Sequence, residues 1–175
     1  MKKAMKRALL LALAVAMLVC LSACGKCAWE IKINGKDIQI PCTLDDIGKE
    51  YEYTLDYPFS GNSNGKGIFS VALMQDGSII GTVKVEADSV DNIDRKSKIR
   101  QISAAQSSSD KKGMSIAGVK CGYDKTEVKK VFGEPDSPDA DAWKYKKRGF
   151  LATFFFDDDG KVTMLSISDI DDEDT

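Results

Sequence analysis

The side chains in this sequence best suited to covalent chemistry are five cysteines, Cys20, Cys24, Cys27, Cys42 and Cys121. A thiol can be acylated, oxidised to a disulfide, bound to a metal or ionised to a nucleophile, and the surroundings decide which. The sequence contains no histidine. That removes Ser-His-Asp and Cys-His nucleophile systems and the commonest metal ligand together. Cys121 stands three residues before a helix cap at Asp124, where backbone N–H groups could favour a thiolate. A thiol-dependent enzyme using Cys121 is therefore one reading, and a buried small apolar side chain or a disulfide partner is the other.

Other spacings resemble sites and fail on their chemistry. Gly61 and Gly65 have three residues between them where a phosphate loop has four, and Gly67 follows Lys66 where that loop has Ser or Thr. Asp157, Asp159 and Gly160 lack the third oxygen ligand and the distal glutamate of a calcium loop, so they read as a hairpin turn. Ser108 and Lys111 have the spacing of an acylating Ser-x-x-Lys pair, but they lie in a loop with no helix to hold them and no Lys-Thr-Gly elsewhere. No metal, cofactor or catalytic residue is expected.

The start of the chain says where the cysteines act. Lys2, Lys3, Lys6 and Arg7 precede an apolar run from Ala8 to Leu21, the order of a secretory signal. At 14 residues the run is shorter than the roughly 20 that span a bilayer. Leu21-Ser22-Ala23-Cys24 then resembles the lipobox of bacterial lipoproteins. The resemblance implies cleavage before Cys24 and a diacylglyceryl group on its sulfur. Two acyl chains anchor stably, because each buried methylene contributes roughly 0.8 kcal/mol. An ordinary cleaved signal with Cys24 as a plain thiol is the alternative. Cys20 lies within the discarded segment.

Cleavage removes four basic residues and no acidic ones, leaving 152 residues with 21 basic against 27 acidic. This balance argues against nucleic acid and against adhesion to anionic headgroups by charge. The expected location is the extracytoplasmic face of a bacterial cell membrane.

The elements that position the remaining cysteines begin with a hairpin, "CAWEIKINGKDIQIPC". Asn34-Gly35 supplies the two positive-φ positions of a type I′ turn. Ile33 then faces Lys36, Lys32 faces Asp37, Ile31 faces Ile38 and Trp29 faces Ile40. The next pair on that face is Cys27 with Cys42. Directly opposed residues lie about 5.5 Å apart at Cα, within disulfide range, so a Cys27–Cys42 staple is expected. Pairing of Cys42 with Cys121, or three free thiols, are the alternatives.

Asp76-Gly77 and Asp159-Gly160 mark two further hairpins, and repeated tight turns mean antiparallel sheet. Thr43 with Asp46 caps a short helix presenting Leu44 and Ile47. Asp124 with Glu127 caps a second, whose stripe is Val128, Val131 and Phe132 and which closes at Gly133 before Pro135. The fold class read from these signals is α+β, as two tandem helix-plus-antiparallel-meander repeats after the signal. Residues 1–23 form the signal peptide, 24–106 the first repeat with its hairpin, 107–113 a linker, 114–168 the second repeat and 169–175 an acidic tail.

The second half, from "GVKCGYDKTEVKKVFGEPD" through "WKYKKRGFLATFFFDDDGKVTMLSIS", resembles the repeat shared by β-lactamase inhibitory proteins and small outer-membrane assembly lipoproteins. Gly118, Gly122, Val128, Gly133, Pro135, Trp143 and Tyr145 carry that likeness. The first half resembles the N-terminal repeat of secreted bacterial lipoproteins through "INGKDIQIPCTLDDI". The resemblance implies a fold and protein binding without naming a partner.

The last hairpin indicates where a partner would bind. Asp159-Gly160 as its turn sets Phe154 opposite Leu165 and Ala152 opposite Ile167, with Phe155 opposite Met164 on the other face beside Leu151 and Val162. Apolar residues on both faces mean that the second is covered by the first half, the favoured reading, or exposed to a partner. The function expected is a membrane-anchored, non-enzymatic protein-binding module in the cell envelope, with Leu151, Phe155, Val162 and Met164 as its candidate face. Inhibition of a secreted hydrolase such as a β-lactamase is an alternative.

Overall fold

The computed structural model describes residues 27–56, 61–62, 67–105 and 113–169. The signal segment, Cys20, Cys24, Ser63–Lys66, Ser108, Lys111, most of the linker and residues 170–175 lie outside the described residues.

Asn34-Gly35 makes the type I′ turn its sequence demands, at φ 52° and 82°, and joins β1 (Ile31–Ile33) to β2 (Lys36–Ile38) in the expected register. Helix α1 (Leu44–Ile47) follows, with the Thr43–Asp46 capping box formed and Leu44 and Ile47 buried. Four residues cannot hold a helix by propensity, so long side chains hold this one. Lys36 Nζ donates to the carbonyls of Asp46 and Ile47 at its C-terminus. Arg95 donates to Gly48 O and Tyr51 O and pairs with Asp45, while its own carbonyl accepts from the N–H groups of Leu44 and Asp45.

The first meander comprises β3 (Tyr51–Thr54), β4 (Gly61–Asn62), β5 (Ile68–Gln75), β6 (Ser78–Glu86) and β7 (Lys98–Ala105), with a 3-10 turn at Val90–Asn92 before β7. β8 (Met114–Ile116) then pairs with β1, completing a three-stranded sheet in the order β2-β1-β8. Helix α2 (Lys125–Phe132) has the expected Asp124–Glu127 capping box and ends at Gly133, φ 83°. Val128 is buried and Phe132 half-buried, but Val131 is 50% exposed, so the apolar stripe is narrower than its spacing suggested. β9 (Ser137–Pro138), β10 (Ala142–Lys147), β11 (Phe150–Phe156) and β12 (Val162–Asp169) complete the chain.

The described chain is mostly antiparallel sheet with two α-helices, loosely compatible with the α+β expectation. Nine strands form one large sheet, ordered β3-β5-β6-β7-β12-β11-β10-β9 with β4 against β5. The central joint is β7 with β12, fixed by the register Ile102↔Ile167 and by a two-toothed ion pair from Arg100 Nε to Asp169 at 2.6 and 2.7 Å. One hydrophobic core runs under this sheet and includes the three-stranded sheet, α1 and α2.

Asn34 links the two sheets. Its side-chain amide donates to Tyr51 Oη and Gln75 Oε1, both at 2.7 Å, and the Tyr51 ring is 2% exposed. Asn34→Gly keeps the turn and removes both bonds, leaving the Tyr51 hydroxyl without this partner. Equilibrium urea unfolding should show a loss of about 1–3 kcal/mol.

Two expectations are corrected here. The first hairpin's ladder stops at Ile31↔Ile38, so Trp29 does not pair with Ile40. Trp29 stacks instead on Phe132, ring centres 5.5 Å apart. Cys42 does not continue the hairpin opposite Cys27 but exchanges both backbone hydrogen bonds with Ile99 of β7. The apolar face of the large sheet offers Cys42 more burial than a two-stranded ribbon can.

Candidate functional site

Strand β11 divides the molecule into two sides. Phe150, Ala152, Phe154 and Phe156 point into the core, where the Phe154 ring lies 4.9 Å from Phe132 of α2. Leu151, Thr153 and Phe155 point the other way, because successive strand residues alternate.

The register on this outer side is the expected one, Phe154↔Leu165, Ala152↔Ile167 and Phe155↔Met164. The turn that sets it is different. Only Gly160 has positive φ, Gly160 N–H donates to Asp157 O, and Asp157 N–H donates to Lys161 O. This is a three-residue loop, and a bulge at Phe155/Phe156 restores the predicted alignment beyond it.

The same bulge corrects one member of the candidate face. Val162 pairs with Phe156, not with the Phe155 row, and is fully buried; its N–H and C=O bond to Tyr123 and Gly122 before α2. Phe155 and Met164 remain paired on the outer side, with Leu151 on the same side four residues along β11; all three are half-buried and none belongs to the core. Among the described residues, β7 joins β12 edge to edge, so the described strands of the first half extend the sheet sideways.

Between Leu151 and the Phe155–Met164 pair runs a row of hydroxyls. Thr82, Ser103, Ser166 and Thr153 are direct neighbours across β6, β7, β12 and β11. Ser103 and Ser166 share a buried hydrogen bond at 2.9 Å, and Gln101 Nε2 donates to Ser103 Oγ. Lys144, opposite Thr153, and Lys146, opposite Leu151, border the site on β10. The outer face thus offers a central hydroxyl row with the Phe155–Met164 pair on one side, Leu151 on the other, and Lys144 and Lys146 on the neighbouring strand. The hydroxyl row has only a faint sequence signal, period-two polar residues in "SISD" and "QISAA".

The cysteines lie elsewhere. Cys27, Cys42 and Cys121 are free thiols, and no disulfide joins them. Burial pushes Cys42 up to about 12, helped by the Asp46 carboxylate. Burial likewise raises Cys121, whose Sγ donates to Thr163 O at 3.4 Å. That is the opposite of an activated thiolate. Asp157 accepts Lys161 N–H at 2.8 Å within the turn, and among the described residues no three acidic or thiol side chains gather as metal ligands.

The Cys42 environment gives a pH prediction. An unfolded thiol ionises near 9.0 and the folded one near 12, so between these values the unfolded chain releases a proton that the native one keeps. Stability is therefore full below pH 9 and should decline as the pH rises toward 12. Tyr145, raised to about 12 by burial and by Glu134 and Asp136, adds to the decline above pH 10. Urea unfolding midpoints from pH 7 to 11 check the sign, and a thiol reagent at pH 8 should modify Cys42 only on unfolding.

The chain matches no protein-family model, no curated protein and no solved structure.

Proposed function

We propose that this is an exported lipoprotein, anchored through Cys24 to the extracytoplasmic face of a bacterial cell membrane, that binds another envelope protein through the outer face of its large sheet. The observation that carries the binding reading is the cross-strand pair of Phe155 and Met164, large apolar side chains outside the core, with Leu151 beyond the Thr153–Ser166 pair on the same side. Apolar clusters of this kind mark interaction sites when polar groups surround them, as the hydroxyl row and Lys144 do here. Export and anchoring draw their support from the basic-then-apolar start and from Leu21-Ser22-Ala23-Cys24.

The tandem-repeat architecture is part of the same reading. Each half offers a capped helix followed by antiparallel strands, and the likeness to inhibitory and assembly lipoproteins favours a binding role over a catalytic one. A Cys27–Cys42 disulfide would require the first hairpin to zip further than its ladder does.

Capture from envelope extract tests the proposal. A Phe155→Asp, Met164→Lys double variant should lose a partner that the unsubstituted protein and a Val131→Glu variant both retain. Equal capture by all three removes the outer face as the site. Metabolic palmitate labelling that persists in Cys24→Ser removes the anchor.

A further inference from the structure

We infer that the outer face of the large sheet takes an acidic protein segment, which sets carboxylates toward the Leu151 end, over Lys84, Lys144 and Lys146, and an apolar side chain on the Phe155–Met164 pair. Its site is the outer face proposed above, on which this assignment depends; what is added is the chemistry and the direction of the segment that binds there.

The face is made of alternate residues of β6, β7, β12, β11 and β10, which the register sorts into three rows across the strands. At the Leu151 end the row runs Lys84, Gln101, Ser168, Leu151 and Lys146. The middle row is the hydroxyl row, which ends at Lys144. The third holds Ala105, Met164, Phe155 and Ala142. These rows contain lysines and no carboxylate, although beyond residue 23 the chain has 27 acidic residues against 21 basic.

The carboxylates at the margin of the face are already engaged. Glu86, two residues beyond Lys84, binds Lys98 at 3.5 Å and Arg100 at 3.4 Å. Asp136, beside the edge strand, accepts the backbone N–H of Lys146 at 2.6 Å. Among the described residues Lys84, Lys144 and Lys146 make no ion pair. Their charges are therefore left for a carboxylate from outside, since facing surfaces match in sign across an interface.

The strand ends supply the direction. The β10–β11 turn beside Leu151 adds exposed Lys147 and Arg148, whereas the β11–β12 loop beside Phe155 carries exposed Asp157, Asp158 and Asp159. Leu151 and Phe155 are four residues apart on one strand, about 14 Å. That exceeds the screening length of about 8 Å at physiological salt, so the two ends act separately on a bound charge. Ser103, Thr153 and Ser166 are buried, and contact falls to the longer side chains around them. An anionic polymer without apolar groups would satisfy the lysines and leave Phe155 and Met164 wet, which favours a protein segment.

The test uses the full-length protein as isolated from cells and a displayed library of random peptides about ten residues long. Such peptides can cross the roughly 19 Å from Lys84 to Lys146, four strand spacings apart. Selected peptides should be net acidic and should bind Lys84→Gln/Lys144→Gln/Lys146→Gln about ten-fold more weakly. They should be lost on Phe155→Asp/Met164→Lys, and little affected by Lys49→Gln/Lys120→Gln/Lys130→Gln, the same charge change at exposed residues outside these strands. Peptides that need Phe155 and Met164 but not the lysines overturn the acidic assignment and leave the outer face as a site. Peptides that need the lysines alone overturn the protein segment and point to an anionic polymer. Peptides indifferent to both sets remove the face, and the assignment with it. Should the lysine variant lower the urea midpoint, salt replaces it: on the unsubstituted protein, going from about 0.05 to 0.5 M should weaken binding about ten-fold. Binding that salt does not touch overturns the acidic assignment.

Discussion

Phe154→Ala should lower the unfolding free energy by about 3–5 kcal/mol, a large share of the 5–15 typical of a domain. The ring is fully buried, 4.9 Å from Phe132 and 6.0 Å from Tyr145, and Phe132 in turn holds Trp29 at 5.5 Å. Removing it takes away transfer energy and leaves a cavity where α2, the N-terminal segment and the large sheet meet, with aromatic neighbours too stiff to close it. Phe155→Ala removes the same atoms one position along and should cost about 1 kcal/mol or less, since that ring is outside the core. Guanidinium unfolding of the pair measures the contrast directly. Equal costs would mean that the two faces of β11 are not distinguished as described.

Gly81→Ala should cost about 2–3 kcal/mol although it adds a single methyl group. Gly81 lies opposite Leu73, where β5 and β6 shift register, and a Cβ there would run into the backbone carbonyl oxygen of Ser103 on β7. A side chain in that place could rotate away, whereas a carbonyl in the middle of a sheet moves only with its strand. The displacement falls on the strand that carries the hydroxyl row and the joint to β12. Gly113→Ala meets open space at unremarkable φ and should change stability by no more than about 0.5 kcal/mol. Thermal or denaturant unfolding of both variants separates a steric cause from a general cost of losing glycine.

Both effects depend on contacts between residues far apart in sequence, and this separates what could be read beforehand from what could not. Asn34-Gly35 and Asp76-Gly77 both take positive φ at their two central positions, as their residue types require. Both capping boxes form, because a cap is a conversation among residues three apart. The pairing of Phe155 with Met164 also follows from the local pattern, even though a three-residue loop and a bulge replaced the expected turn. Arg148-Gly149 makes a turn with φ of 53° and 78° between β10 and β11 that the residue types do not announce. Arginine is a rare residue in the left-handed region, so its type gave little sign.

By itself, then, the sequence determined the turns, the caps, the antiparallel character and the apolar alternation of single strands, because each is encoded within a few neighbouring residues. Only the tertiary structure decided that Cys42 would pair with Ile99, that Val162 would be buried opposite Phe156, and that β7 would meet β12 edge to edge, with Phe155 and Met164 half-buried on the outer side. Those outcomes are settled by competition among apolar surfaces for burial across the whole chain. The hydrophobic effect that drives it has no direction of its own, and a local stretch of residues cannot name the surface it will finally meet.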